Sequence, residues 1–127
     1  MRVIVVEDDL EVRSVLTEYL RGAGHDVVAT ASGREAQELV SAEGPPFEVA
    51  IVDWNMPGIS GRDLIEFVNE RSPSTLIFLS TGLPESLASD RLTSVPLAGI
   101  WRKPFSLRWM LRELTRVVGQ TTPTKSA

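Results

Sequence analysis

Five short runs of β-branched and apolar residues, separated by stretches of helical period, constrain this chain more than any other feature. They fall at residues 3–6, 27–30, 49–52, 76–79 and 98–101. The first, third and fourth are nearly continuous in apolar residues, as expected of strands covered on both faces rather than wetted on one. After the first run, Val12, Val15, Leu16, Tyr19 and Leu20 keep an i, i+3, i+4, i+7, i+8 stripe, which predicts an amphipathic helix. Leu107, Met110, Leu111, Leu114 and Val118 repeat the pattern near the end. Shorter periodic segments at 33–42 (Ala36, Leu39, Val40) and 61–71 (Leu64, Phe67, Val68) predict two more helices, the second capped by Ser60 with Asp63 three residues on. The weakest of five helices is expected at 85–95, where the apolar residues keep no clean period and Pro96 ends the segment. Strands alternating with helices imply a parallel sheet with right-handed crossovers and helices on both faces, a doubly wound α/β domain.

A chain of 127 residues fits one such domain, expected over 1–118, with 119–127 (GQTTPTKSA) as a disordered polar tail. The 43% hydrophobic content suffices for one core, and the net charge of -4 argues against a nucleic-acid partner, which calls for a basic face. The chain has no cysteine, which excludes disulfides, thiolate metal sites and cysteine nucleophiles. Its single histidine, His25 in GAGHDV, reads as a surface turn residue and cannot supply a multi-histidine metal site. No apolar run approaches the roughly 20 residues of a membrane span, and MRVIVVEDD lacks the build of a signal peptide. The expectation is an acidic, cytoplasmic, soluble domain with neither membrane nor direct nucleic-acid contacts.

Doubly wound sheets bind ligands outside the carboxyl ends of their strands. There this sequence places Glu7, Asp8 and Asp9 after the first run and Asp53 at the end of the third. Ser80 and Thr81 follow the fourth run, and Lys103-Pro104 the fifth. Each has a structural explanation on its own. Acids opening a helix offset its dipole, Asp53 and Met56-Pro57-Gly58 suit turns, Thr81 could start a loop, and Lys103 could be a solvated surface residue. Together they make a phosphoryl-transfer inventory. Clustered carboxylates repel unless a cation joins them. An oxygen-only donor set suits Mg²⁺, a carboxylate can attack phosphorus, and phosphoryl oxygens need an ammonium and a hydroxyl. Lysine usage strengthens this reading. Among eleven arginines the chain keeps two lysines, Lys103 and Lys125, and the second lies in the expected tail. Trp54 is expected beside the metal, and Trp109 in the core or at its rim.

VVEDD, VDWNMPGISG, FLSTG and WRKPF, in that order, resemble the signatures of bacterial response-regulator receiver domains across residues 2–118. DWNMP is also what the chemotaxis response regulator carries. The resemblance implies a flavodoxin-like five-stranded sheet of order 2-1-3-4-5. It implies a two-component phosphorelay in which Asp53 takes a phosphoryl group from a phosphohistidine of a histidine kinase or histidine phosphotransfer protein. Mg²⁺ would be held by Asp8, Asp53 and the backbone carbonyl of Asn55, with Glu7 acting through a water and Asp9 a third acid. Thr81 would be the switch hydroxyl and Lys103 the phosphate-pairing lysine. Thr81 is preferred to Ser80 for its spacing to Lys103 and for the small Gly82 that follows. Such a domain is not an enzyme beyond its own phosphorylation and dephosphorylation. It would signal through a surface around the helix at 85–95, the last strand and the last helix, to a downstream protein or a missing output domain, and a phosphorylation-dependent dimer is compatible with that surface. The same sequence fits a stand-alone regulator or a receiver cut from a larger protein.

One position departs from the family pattern. Tyr or Phe usually stands three residues before the lysine, where this chain has Ile100, and Trp101 should face the other side of its strand. The expectation is that the loop after the fourth strand and the helix at 85–95 carry the signal instead, since Ile100 has no ring to swing. Two rivals use similar parts. A haloacid-dehalogenase-like phosphatase would carry its DxD motif after the first strand, whereas Asp53-Trp54-Asn55 follows the third, and a non-phosphorylated pseudo-receiver would lack site residues that are all present here.

Overall fold

The β-branched runs form strands β1 (Arg2–Val6), β2 (Asp26–Thr30), β3 (Val49–Asp53), β4 (Leu76–Thr81) and β5 (Gly99–Arg102). The periodic stretches form helices α1 (Leu10–Gly22), α2 (Gly33–Ser41), α3 (Gly61–Arg71) and α4 (Leu107–Thr121). The computed structural model describes residues 1–56, 58–82 and 96–121. The helix expected at 85–95 and the end of the expected tail lie outside these residues. The strands are all parallel, in the order β2-β1-β3-β4-β5 expected from the sequence. α4 continues to Thr121, three residues into the stretch read as a tail. Val117 and Val118 pack against the core there and carry the helix past the polar residues that suggested its end.

Side chains alternate along each strand and divide the core into two layers. On one face Ile4, Val6, Ala50, Val52, Ile77 and Leu79 meet Ala36 of α2 and Leu64, Ile65 and Val68 of α3. On the other, Val3, Val5, Val49, Ile51, Phe78 and Trp101 meet Leu16 and Leu20 of α1 and Met110 and Leu114 of α4. Phe78 and Trp101 stack with ring centroids 4.6 Å apart, and Trp101 continues through Phe105 to the half-exposed Trp109. Complete burial of side chains of this size stabilises by roughly 1.5–3 kcal/mol each, so the strands are fixed from both sides.

The helix starts follow from short polar side chains. Asp9, Ser32 and Ser60 each accept a hydrogen bond from the backbone N–H three residues on, Val12, Glu35 and Asp63 respectively. Such a cap contributes about 1 kcal/mol. The chain from β3 to α3 turns at Gly58, whose φ of +85° favours glycine, and passes Gly61 close to Trp54. A Cβ on Gly61 would lie 2.5 Å from the Trp54 carbonyl oxygen and 2.8 Å from its Cα, backbone that cannot swing aside. Gly61→Ala is therefore expected to lower stability by roughly 1–3 kcal/mol and to shift the amide resonances of Asp53, Trp54 and Asn55. Urea unfolding and a two-dimensional amide spectrum check both, and unchanged stability would contradict the close approach.

Candidate functional site

The acidic run after β1 divides by role. Asp9 is the cap of α1, its carboxylate accepting from Val12 N at 3.1 Å. Dipole compensation thus accounts for one acid of the three. Glu7 is only 2% exposed. Its N–H donates to the Thr30 carbonyl at 3.0 Å, its carboxylate accepts from Asp9 N at 3.2 Å, and Arg13 Nη1 donates to its carbonyl at 2.9 Å. Asp8 stays exposed. Asp53 ends β3 at 5% exposure, and its Oδ1 accepts from Asn55 N at 3.3 Å. Lys103 comes from the far side of the sheet, just past β5, where its N–H donates to the Thr81 carbonyl at 2.7 Å. Its Nζ stands 3.2 Å from Glu7 Oε1 and 3.3 Å from Asp53 Oδ1. One carboxylate oxygen each from Glu7, Asp8 and Asp53 lie within 4.8 Å of one another.

The electrostatics follow from that geometry. Burial pushes the Glu7 carboxyl above its ordinary range, the nearby Asp53 charge pushes it further, and Lys103 pulls partly the other way. For Lys103, burial alone would lower the ammonium's pKa, but the charges of Asp53 and Glu7 outweigh it and the value is raised. Lys103 therefore remains cationic at neutral pH. Two unit charges 4 Å apart interact by about 4 kcal/mol at an effective dielectric near 20, so one ammonium among three acids leaves unbalanced negative charge. An all-oxygen, net-negative group of this kind fits a hard divalent cation such as Mg²⁺.

Glu7, Asp8, Asp53 and Lys103 thus meet as the sequence predicts. Asn55 contributes a backbone N–H to the Asp53 carboxylate. Thr81, 1% exposed, ends β4 and is tied to Lys103 through its carbonyl. Ser80, not Thr81, is the register partner of Asp53. Ile100 packs half-buried against the α2/α3 layer while Trp101 is buried in the α1/α4 layer, opposite faces as expected. Sequence reasoning missed Arg13, whose guanidinium also reaches the Asp8 carbonyl at 3.4 Å. Its position one turn into α1 gives the signal only once Asp9 is known to cap that helix. It also missed an apolar groove of about 350 Å³ beside Lys103, lined by Val12, Val15, Leu16, Pro104, Phe105 and Leu107. Leu10 and Val15 lie exposed on the same helix at 66% and 48%. Among the described residues, no helix is long and apolar enough to cross a membrane.

The family model described as "Response regulator receiver domain" matches residues 3–115. A solved structure of the chemotaxis protein CheY4 of Vibrio cholerae is 30% identical with a TM-score of 0.83, covering 91% of this chain and 97% of that one. The response regulator receiver protein CpdR of Brucella abortus is 28% identical over 117 residues, 92% of this chain and 96% of its own length. A cyclic di-GMP phosphodiesterase of Thermotoga maritima is 26% identical over 118 residues, and there the match covers 31% of the relative's length. The chain spans less than half of several curated relatives that it matches.

Because folded Glu7 holds its proton to higher pH than the unfolded chain does, its contribution to stability is greatest below the ordinary carboxylate range. It is lost as pH rises through the raised folded value. Asp53→Asn removes the charge that helps raise it, and at pH 7 is expected to raise the melting temperature of the metal-free protein by a few degrees, roughly 1 kcal/mol. The gain should shrink as pH falls, because protonation of Glu7 in the wild type removes its repulsion with Asp53. Scanning calorimetry of wild type and variant from neutral to acid pH measures this; a lower melting temperature for the variant at pH 7 would contradict a mutually repelling acid pocket.

Proposed function

Since this chain belongs to the response regulator receiver family of two-component signalling, we propose that it accepts a phosphoryl group on Asp53 from a phosphohistidine donor and so switches a protein-interaction surface. The observation that carries this is the Lys103 ammonium held 3.2 Å from Glu7 and 3.3 Å from Asp53 at the carboxyl ends of parallel strands. In the transfer, an Asp53 carboxylate oxygen attacks phosphorus as the bond from phosphorus to the donor imidazole nitrogen breaks. That electron pair returns to the imidazole, and an acyl phosphate forms on Asp53. Lys103 already lies against the attacking carboxylate, so its ammonium can pass to the phosphoryl oxygens with little movement. Thr81, backbone-linked to Lys103, supplies the hydroxyl that follows the phosphoryl group. Mg²⁺ would be held by Asp8, Asp53 and the Asn55 carbonyl, with Glu7 through a water, and when bound would screen the acids and offset charge on the phosphoryl oxygens.

A protein donor fits the surroundings. The apolar groove, with the exposed Val15 in its lining, adjoins Lys103, Leu10 is exposed on the same helix, and apolar surface of that kind beside a site suits a docking partner. A histidine kinase or histidine phosphotransfer protein seated there would present its imidazole to Asp53. On the output side Ile100 offers no aromatic rotor, so the change would leave through the loop after β4, residues 83–95 and the surface of β5 and α4. A downstream protein, an output domain or a second copy of the phosphorylated chain could read it.

Incubation with acetyl phosphate and Mg²⁺, followed by intact mass, tests the reading. The expected result is one added phosphoryl group, absent in Asp53→Asn and in chelator. Lys103→Ala should still bind Mg²⁺ but lose most of the conformational response, and Lys103→Arg should rescue it poorly, because a planar fork does not replace a compact ammonium. Labelling that survives Asp53→Asn would overturn the assignment. Absence of any adduct would favour a binding scaffold, and multiple turnover of phosphate esters a phosphatase.

A further inference from the structure

Gly33 opens α2 and is buried, and a Cβ placed on it would fall onto Ile59 Cγ2, far inside van der Waals contact. Its backbone is ordinary helix without a positive φ, so space rather than conformation calls for glycine here. Ile59 belongs to the loop between β3 and α3, which also carries Asn55. It fills the place that a side chain on Gly33 would take. Being β-branched, it is stiff at χ1 and does not turn aside cheaply. Trp54 and Met56 of the same loop pack with Ile59 against the α2/α3 layer, and Gly61 presses on the Trp54 backbone. The loop is thus clamped near its start and near its end, with the exposed Asn55 between.

The start of α2 is tied to the acid side as well. The Thr30 carbonyl accepts from Glu7 N at 3.0 Å. Ser32 N donates to Thr30 Oγ1 at 3.1 Å, and the Ser32 hydroxyl accepts from Glu35 N at 3.1 Å to cap the helix. The Thr30 hydroxyl bonds the Glu35 carboxylate. Residues 30–33 therefore touch both the strand end that leads into Glu7 and the loop that carries Asn55.

We propose that Gly33 and Ile59 are positioning residues that set the affinity for Mg²⁺ by fixing where the Asn55 carbonyl lies; this rests on the reading of Asp8, Asp53 and Asn55 as metal ligands. Mg²⁺ demands near-ideal octahedral geometry, so a displaced ligand weakens it sharply. A carboxylate can follow the ion by turning its side chain. A backbone carbonyl goes only where its loop goes, and this loop is aimed by the contact of Ile59 with Gly33. Neither residue needs to touch the ion to act in this way.

The test is a Mg²⁺ titration of the full chain followed in two-dimensional amide spectra, at a temperature where the variants are folded. Gly33→Ala is expected to move the Asn55 amide in the metal-free spectrum and to weaken Mg²⁺ binding about tenfold, a typical effect of residues behind metal ligands. Ile59→Ala, which removes the buttress, should weaken binding too. The double variant separates a steric cause from a general loosening. With both substitutions the two Cβ atoms would stand 3.4 Å apart, ordinary contact, and the new methyl would occupy the space that Cγ2 leaves. Gly33→Ala combined with Ile59→Ala should therefore bind Mg²⁺ more tightly than Gly33→Ala alone, whereas independent effects would multiply into weaker binding. A wild-type dissociation constant in Gly33→Ala overturns the proposal, as does one in Ile59→Ala should the glycine variant not fold. A double variant weaker than both single ones overturns it equally, and each of these results leaves the metal site itself standing. If the Asp53 and Asn55 amides of the wild type do not respond to excess Mg²⁺, both the proposal and the metal assignment beneath it fall.

Discussion

Glu7 and Asp53 lie at the ends of adjacent strands with nearly all their surface removed from water, and the Lys103 ammonium stands between them at 3.2 and 3.3 Å. Two buried carboxylates at this separation repel, and each has lost most of its hydration. Among the described residues the shared ammonium is the contact that offsets both effects at once. It does so incompletely, since Glu7 is still pushed above its ordinary range. Removing the ammonium would leave two buried acids uncompensated, whereas removing one acid relieves repulsion and leaves Lys103 paired with the other. The pocket makes sense as a site held ready for more positive charge and for a phosphoryl group, at some expense of stability.

The rest of the architecture serves to hold that triangle. β1 and β3 are neighbours, so their carboxyl ends bring Glu7 and Asp53 together. β5 is two strands from β3, and only a long, flexible stem can carry a charge from its end past β4. The bond from Lys103 N to the Thr81 carbonyl fixes where that stem starts. On the other side, the Asp9 cap and the Arg13 bonds to the Glu7 and Asp8 carbonyls hold the loop after β1, so Glu7 turns inward while Asp8 remains open to solvent. The two apolar layers fix the strands, and the strands fix the charges.

Much of this was legible in the sequence because its signals are local. The apolar runs and helical stripes gave element identity, and the sheet order came with the family resemblance. The meeting of Glu7, Asp8, Asp53 and Lys103 followed from their places after the strands. What escaped depends on three-dimensional packing. α4 outruns its polar end because Val117 and Val118 find the core. The division of labour in EDD depends on which acid meets the free N–H groups of α1. The pairing of Asp53 with Ser80 depends on a strand register that no spacing in the sequence specifies, and the groove beside Lys103 joins residues from α1 with others about ninety positions away.

If the Lys103-bridged acids are a phosphoryl site in its resting arrangement, a metal ion and a phosphoryl mimic together should draw the ammonium off its bridge. A crystal structure of the protein grown with Mg²⁺ and beryllofluoride tests it most directly. The expected result is beryllium bonded to an Asp53 carboxylate oxygen, a cation on oxygens of Asp8 and Asp53, and the Lys103 ammonium moved from its bridge onto a fluorine. Clear density with Asp53 unmodified and Lys103 still spanning Glu7 and Asp53, at concentrations of both reagents that saturate a receiver known to be competent, would contradict it.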